Sequence, residues 1–210
     1  MRATTTTPGP AAARAGILLA VLLAALGAGA CGAHRVTLTQ RSAIEQQLLT
    51  RSIERAVARL DTTRLAGRPV ALTLHALTTD QAFAERYVTA QLRARGIRVV
   101  SEASRAEVRL ETYATALGVD RAETLLGIPA LEAPVVSTPI PEIALFKWAR
   151  NRSHTEVQAF LFEPGTDRFL DRLPVADGRA KSDEFTILIF VRFTVSDIDD
   201  PPPGEAPGPR

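Results

Sequence analysis

The chain opens on a run with no polar interruption, Ile17 to Ala30 (ILLAVLLAALGAGA), and then settles into periodic segments. Ile44, Leu48, Leu49, Ile53, Ala56, Val57 and Leu60 recur at three- and four-residue intervals, with Arg51, Glu54, Arg55 and Arg59 between them. That spacing predicts an amphipathic helix of about five turns with the charged residues on the outer face. Ser42 and Glu45 stand at capping-box spacing at its start. Pro69 to Leu77 (PVALTLHAL) reads as a short strand. Thr78 and Gln81 offer a second capping-box pair, and Phe83, Ala84, Tyr87, Val88 and Leu92 form the apolar stripe of a second helix. Gly96 suits its C-terminal stop. Ile97 to Ser101 is then the next strand, which makes a strand–helix–strand unit.

From Glu107 to Leu117 the period changes to two, as in a half-buried strand. Glu156 to Glu163 and Arg168 to Leu173 flank Pro164-Gly-Thr-Asp167, a turn with hairpin chemistry. Phe185 to Val195 (FTILIFVRFTV) reads as one long apolar strand, suited to a sheet's centre or a covered face. The expected fold class is therefore α/β: a mixed sheet of five to six strands packed by two amphipathic helices, spanning residues 39–198. Residues 199–210, rich in Pro and Gly, cannot bury a core and read as a disordered tail.

Residues 118–151 break the pattern. Pro129, Pro134, Pro139 and Pro141 punctuate a stretch that also holds Leu125, Leu126, Ile128, Val135, Val136, Ile143, Leu145, Phe146 and Trp148. It reads as a long apolar loop, either folded back on the sheet or presented to a partner or a bilayer. Leu145, Phe146 and Trp148 are the expected partner-facing or self-association surface, aromatic anchors with Lys147 beside them.

Composition narrows the function classes. Apolar residues make up 46% and charged residues 23%, a globular balance. The net charge of +2 disappears once the apolar leader is set aside. Arg2 and Arg14, taken from 25 basic residues, leave 23 against 23 acidic. A neutral chain without a Lys/Arg cluster offers no electrostatic case for nucleic acid. His34, His75 and His154 are scattered, and the one cysteine leaves no zinc ligand set. There is no P-loop, GxGxxG fingerprint or GxSxG elbow. Asp183, Glu184, Asp197, Asp199 and Asp200 lack the EF-hand order, and Glu107 with Glu111 reads as a polar strand face. No metal, cofactor or catalytic residue is expected, and the chain reads as non-enzymatic.

The leader supplies an address. Its apolar run has 14 residues, short of the about 20 that span a bilayer, and a positive segment precedes it. Ala28-Gly-Ala-Cys31 resembles the bacterial lipoprotein signal, although Ala28 stands where leucine is usual. The resemblance implies removal of residues 1–30, lipid on Cys31 and a tether over residues 31–38. Gly32 after the cysteine leans towards the outer membrane, facing the periplasm.

Arg41-Ser-Ala-Ile-Glu-Gln46, Ala116-Leu-Gly-Val-Asp120, Leu125-Leu-Gly-Ile-Pro129, Thr138-Pro-Ile-Pro-Glu-Ile-Ala-Leu-Phe-Lys147 and Ser196-Asp-Ile198 carry a further likeness. With them the chain resembles a bacterial envelope lipoprotein family of unknown function. More loosely, its element order is similar to TolB N-terminal-like and curli-secretion-like lipoprotein domains. These resemblances imply a protein-binding or assembly component with an envelope protein, or a second copy, as partner. The alternatives are an envelope enzyme or a carrier of an apolar ligand under residues 118–151.

Overall fold

The computed structural model describes residues 32–34, 41–130 and 142–201. Among them lie β1 (Gly32–His34), α1 (Ala43–Arg59), β2 (Val70–Ala76), α2 (Gln81–Ala94), β3 (Val99–Val100), β4 (Val108–Ile128), β5 (Ile143–Phe162), β6 (Phe169–Arg172), β7 (Ala176–Ile187) and β8 (Val191–Ser196). The fold is the mixed α/β sheet with two helices that the periodicity implied. The strands follow the order β3-β2-β4-β5-β7-β8, with β1 paired to β4 and β6 to β5.

The first helix forms as its sequence dictates. The Ser42 side chain accepts from the Glu45 N–H, and the Glu45 carboxylate accepts from the Ser42 N–H at 2.8 Å. Two otherwise orphaned donors are thereby satisfied. Leu48, Leu49, Ile53, Ala56 and Val57 are all buried. One expectation fails here: Arg55, assigned to the outer face, is buried and hydrogen-bonded to backbone carbonyls.

The second helix departs from expectation at its start. It begins at Gln81 with Asp80 as N-cap, so Gln81 is its first residue and cannot complete a capping box with Thr78. Thr78 Oγ1 instead donates to Asp80 Oδ2 at 2.9 Å, and Gln81 Oε1 accepts from the Ala76 N–H. Phe83, expected on the buried stripe, is exposed, whereas Ala84, Val88 and Leu92 are buried. The helix ends at Ala94 with Arg95 as its cap, and Gly96 follows at a φ of +83° that suits glycine. β2 then runs parallel to both β3 and β4, with Val70 opposite Val99 on one side and Val108 on the other. Along β4, Val108, Leu110, Thr112 and Ala114 point inward.

Two larger corrections concern the segments read as loop and as single strand. Residues 118–128 continue β4, and residues 143–151 are the first half of β5. The prolines fall between these arms, and a strand excludes proline only where it needs the N–H. The arms themselves are proline-free. Phe185 to Val195, in turn, is not one covered strand. It ends β7 at Ile187, turns through Leu188 to Phe190, and returns as β8, whose six residues are all exposed at the sheet's edge. Of the expected tail, residues 199–210, the first three are described and are held at Asp200: its N–H donates to the Asp197 carbonyl and its carbonyl accepts from Arg55, while residues 202–210 lie outside the described residues.

The chain divides into two compact units. Of the described residues, the larger comprises 41–122, 150–184 and 194–201 and holds both helices. Its core gathers Leu49, Ile53 and Val57 of α1, Val88 and Leu92 of α2, Val70 and Leu74 of β2, and Val108 and Leu110 of β4. The smaller comprises β1 and residues 123–130, 142–149 and 185–193.

Candidate functional site

In the larger unit, the outer face of α1 and the start of α2 border an open groove of about 920 Å³. Arg41, Gln47, Thr50, Arg51, Asp80 and Phe83 line it. Most of its charges are paired locally: Arg41 with Asp80 at 2.5 Å and Arg51 with Glu54 at 2.6 Å, while Asp199 also lines it. Arg51 Nε also donates to the Ile198 carbonyl at 2.6 Å. Phe83 stacks on Tyr87 with ring centroids 5.6 Å apart, yet 49% of it remains exposed. Tyr87 in turn donates its hydroxyl to Glu54.

That tyrosine carries a measurable signature. Burial, followed by the Glu54 hydrogen bond and charge, pushes its pKa up from 10.0 to about 12. A folded-state pKa above the unfolded one stabilises the fold fully below pH 10.0, and the contribution fades as pH rises through about 12. Tyrosinate absorbance should show Tyr87 titrating near 12 in the folded chain. Glu54→Gln, which removes the charge but keeps a hydrogen-bond acceptor, should bring the titration down. An unchanged titration in that variant would show burial alone to be the cause.

The smaller unit has the opposite character. Leu126, Ile128, Ile143, Leu145, Leu188 and Phe190 are exposed on adjoining strand ends and on the turn between β7 and β8. Leu188 and Ile189 adopt φ of 48° and 71°, and their N–H groups donate to the carbonyls of Leu145 and Ala144. Trp148 stacks on Phe185 at 5.7 Å and Phe185 on Phe193 at 5.0 Å, so three rings form one column. Lys147 meets Glu123 and Glu142, each at 2.9 Å. Burial opposes its charge, but hydrogen bonds to both carboxylates outweigh this and raise its pKa above the ordinary lysine value.

No family model, curated protein or solved structure matches this chain.

Of the residues expected to matter, Cys31 lies outside the described residues, while Gly32 immediately after it pairs with Leu125. Leu145 is half exposed; Phe146 and Trp148 are more buried. Strand alternation sets Leu145 on the opposite face from Phe146 and Trp148, so the three do not form a single patch. His75 stacks on Tyr113 at 5.0 Å. Asp197 pairs with Arg55 and Asp183 with Arg152. Among the described residues no three His, Cys, Asp or Glu side chains group as metal ligands. Sequence reasoning missed the groove because Phe83 fits a helical stripe by spacing alone. It missed the Leu188–Phe190 turn because Ile187-Leu-Ile-Phe190 contains no turn residue.

Proposed function

We propose that this chain is a lipid-anchored bacterial envelope protein, held through Cys31 at the outer membrane and facing the periplasm, that works by binding another protein. The observation that carries the reading is the α1–α2 groove. It is open, and its lining mixes paired charges, amides and a half-exposed phenylalanine stacked on a tyrosine. A packed aromatic with polar neighbours is the usual anchor of a protein contact. Such a lining suits a polypeptide better than an apolar ligand, which disfavours the carrier. Two of its three carboxylates, Asp80 and Glu54, are held in ion pairs, which argues against paired acid–base work there. The groove is a better-formed docking place than Leu145, Phe146 and Trp148, which divide between two strand faces. The lipoprotein-family likeness supports the same class of function.

The test uses the full chain in its native membranes, chemically crosslinked and affinity-isolated. The intact protein should recover a defined partner in near-stoichiometric amount. Phe83→Ser with Gln47→Glu should lose it while keeping the melting temperature, since both residues are exposed. Equal recovery by both proteins would reject the groove, and a partner recovered by neither would reject the binding reading. Incorporation of labelled fatty acid, abolished by Cys31→Ser, checks the anchor separately.

A further inference from the structure

We propose that the smaller unit is a bilayer-dipping tip: Leu145, Leu188, Ile189 and Phe190 enter the lipid surface beside the anchored cysteine. The inference rests on the lipid-anchored reading given above and adds a second, non-covalent membrane contact to it. Three observations carry it.

The first is where the anchor emerges. β1 pairs antiparallel with the end of β4, with Gly32 opposite Leu125 and His34 opposite Glu123. That register brings the residue after Cys31 to the strand end that exposes Leu126 and Ile128. An acyl chain on Cys31 therefore starts from the apolar end of this unit, and the membrane that takes it up lies against the same residues.

The second is the chemistry of the turn. Left-handed backbone at two successive central positions is the conformation for which Asn-Gly is preferred. Here Leu188 and Ile189 occupy it, at φ of 48° and 71°. Such a conformation costs a β-branched residue more than almost any other. Both side chains are nonetheless exposed, and Phe190 beside them is 81% exposed. Backbone strain combined with exposed large aliphatics is unfavourable in water, and burial in hydrocarbon reverses the second cost.

The third is the grading of polarity along the strands. Aliphatic side chains occupy the turn and the first residues of β5, and the one charge ahead of them among the described residues, Glu142, is neutralised by its ion pair with Lys147. The column of Trp148, Phe185 and Phe193 lies three residues from Leu145, Leu188 and Phe190 respectively. At about 3.3 Å per residue that separation is roughly 10 Å, the depth to which peripheral elements bury apolar faces. Trp is the residue favoured at the bilayer–water boundary.

The protein supplies its own probe site. It has one cysteine, so once Cys31 is acylated, Phe190→Cys carries the only free thiol. The acylated full chain bearing this substitution is labelled with an environment-sensitive fluorophore. It is then reconstituted into phosphatidylethanolamine–phosphatidylglycerol vesicles, some containing acyl-chain nitroxide lipid. Leu77→Cys, at a fully exposed position of the larger unit, serves as reference. The label at residue 190 should be quenched by the nitroxide several-fold more than the label at residue 77, and should resist aqueous iodide. Leu145→Cys should behave like residue 190. Equal quenching at residues 190 and 77 overturns the proposal. Protection from iodide without nitroxide quenching also overturns it, in favour of a second copy covering the tip. Mass spectrometry of the N-terminus reads acylation independently. A chain without the acyl group refutes the anchor, and Cys31→Ser with Phe190→Cys and added vesicles then decides the tip by the same quenching ratio.

Discussion

Gly178→Ala should destabilise the larger unit severely, and Gly178→Val should prevent α1 from docking at all. A methyl group built on Gly178 would lie 2.0 Å from the Ser52 carbonyl oxygen and 2.4 Å from the Ala56 nitrogen, both on the helix backbone. Neither atom can rotate aside as a flexible side chain would. Relief therefore requires α1 to move off β7, and that movement strips contacts from Leu49, Ile53 and Val57 in the core. It also breaks a buried hydroxyl cluster, in which Ser52 Oγ lies 2.7 Å from both Ser153 Oγ and Thr155 Oγ1. Lost packing and orphaned buried hydroxyls together justify an expected loss of about 4 kcal/mol or more for alanine. At about 2–4 °C per kcal/mol for a chain this long, the melting temperature should fall by on the order of 10 °C. Gly165 is the control. Its φ of +85° strains any side chain, but nothing lies within 4 Å, so Gly165→Ala should cost only about 1 kcal/mol. Urea titration followed by circular dichroism reads both. A Gly178→Ala protein with the parental midpoint would show that α1 does not approach β7 this closely.

The same contact explains why part of the fold was legible in the sequence and part was not. α1 announces itself through Leu48, Leu49, Ile53, Ala56 and Val57, whose bulk produces a clear 3.6-residue period, and through the Ser42–Glu45 box. β2 and the inward half of β4 are equally plain, because Val70, Leu74, Val108 and Leu110 are large. β7 is different. Its inward residues are Ala176, Gly178, Ala180 and Ser182, small because a helix backbone lies against them, so the segment shows no apolar alternation by which to assign it. β5 repeats the problem at Asn151, Ser153 and Thr155, inward-facing and buried but polar, so the strand's first half merged with the proline-rich stretch before it. Periodicity detects bulk, and close packing against a helix requires its absence. The candidate site was less legible still. Leu188 to Phe190 looks like strand because its residues favour strands, and only the backbone reveals the turn. Arg55 looks like one more surface arginine, with nothing in the pattern to show that it is buried.

That burial sets up the other large effect. Arg55→Met should destabilise the larger unit by about 3 kcal/mol, most of it through loss of the contact between α1 and residues 197–200. Arg55 Nη1 donates to the Arg179 carbonyl at 2.6 Å, and Nη2 donates to the Asp197 carbonyl at 2.5 Å. The guanidinium also lies 3.1 Å from the Asp197 carboxylate. That aspartate is engaged on its other side, where Oδ1 accepts from the Lys181 N–H at 2.7 Å. One planar fork thus ties α1 to β7 and to the chain just after β8. Methionine fills similar volume without a donor, leaving two carbonyls and part of a carboxylate unmatched in a poorly hydrated place. Lysine should recover only a fraction, because one ammonium on a flexible stem cannot serve acceptors spread around a rigid plane. Arg59, four residues on, separates burial from charge. Its pair with Asp177 at 3.2 Å leaves both side chains more than 40% exposed, so Arg59→Met should cost at most about 1 kcal/mol. Limited proteolysis adds a local readout: cleavage after Arg192 should accelerate in Arg55→Met well below the global melting point, and stay unchanged in Arg59→Met. Equal urea midpoints for the Arg55 and Arg59 variants would mean that the fork holds nothing in place. In that case the segment after β8 must be secured instead by Arg51 through its bond to the Ile198 carbonyl.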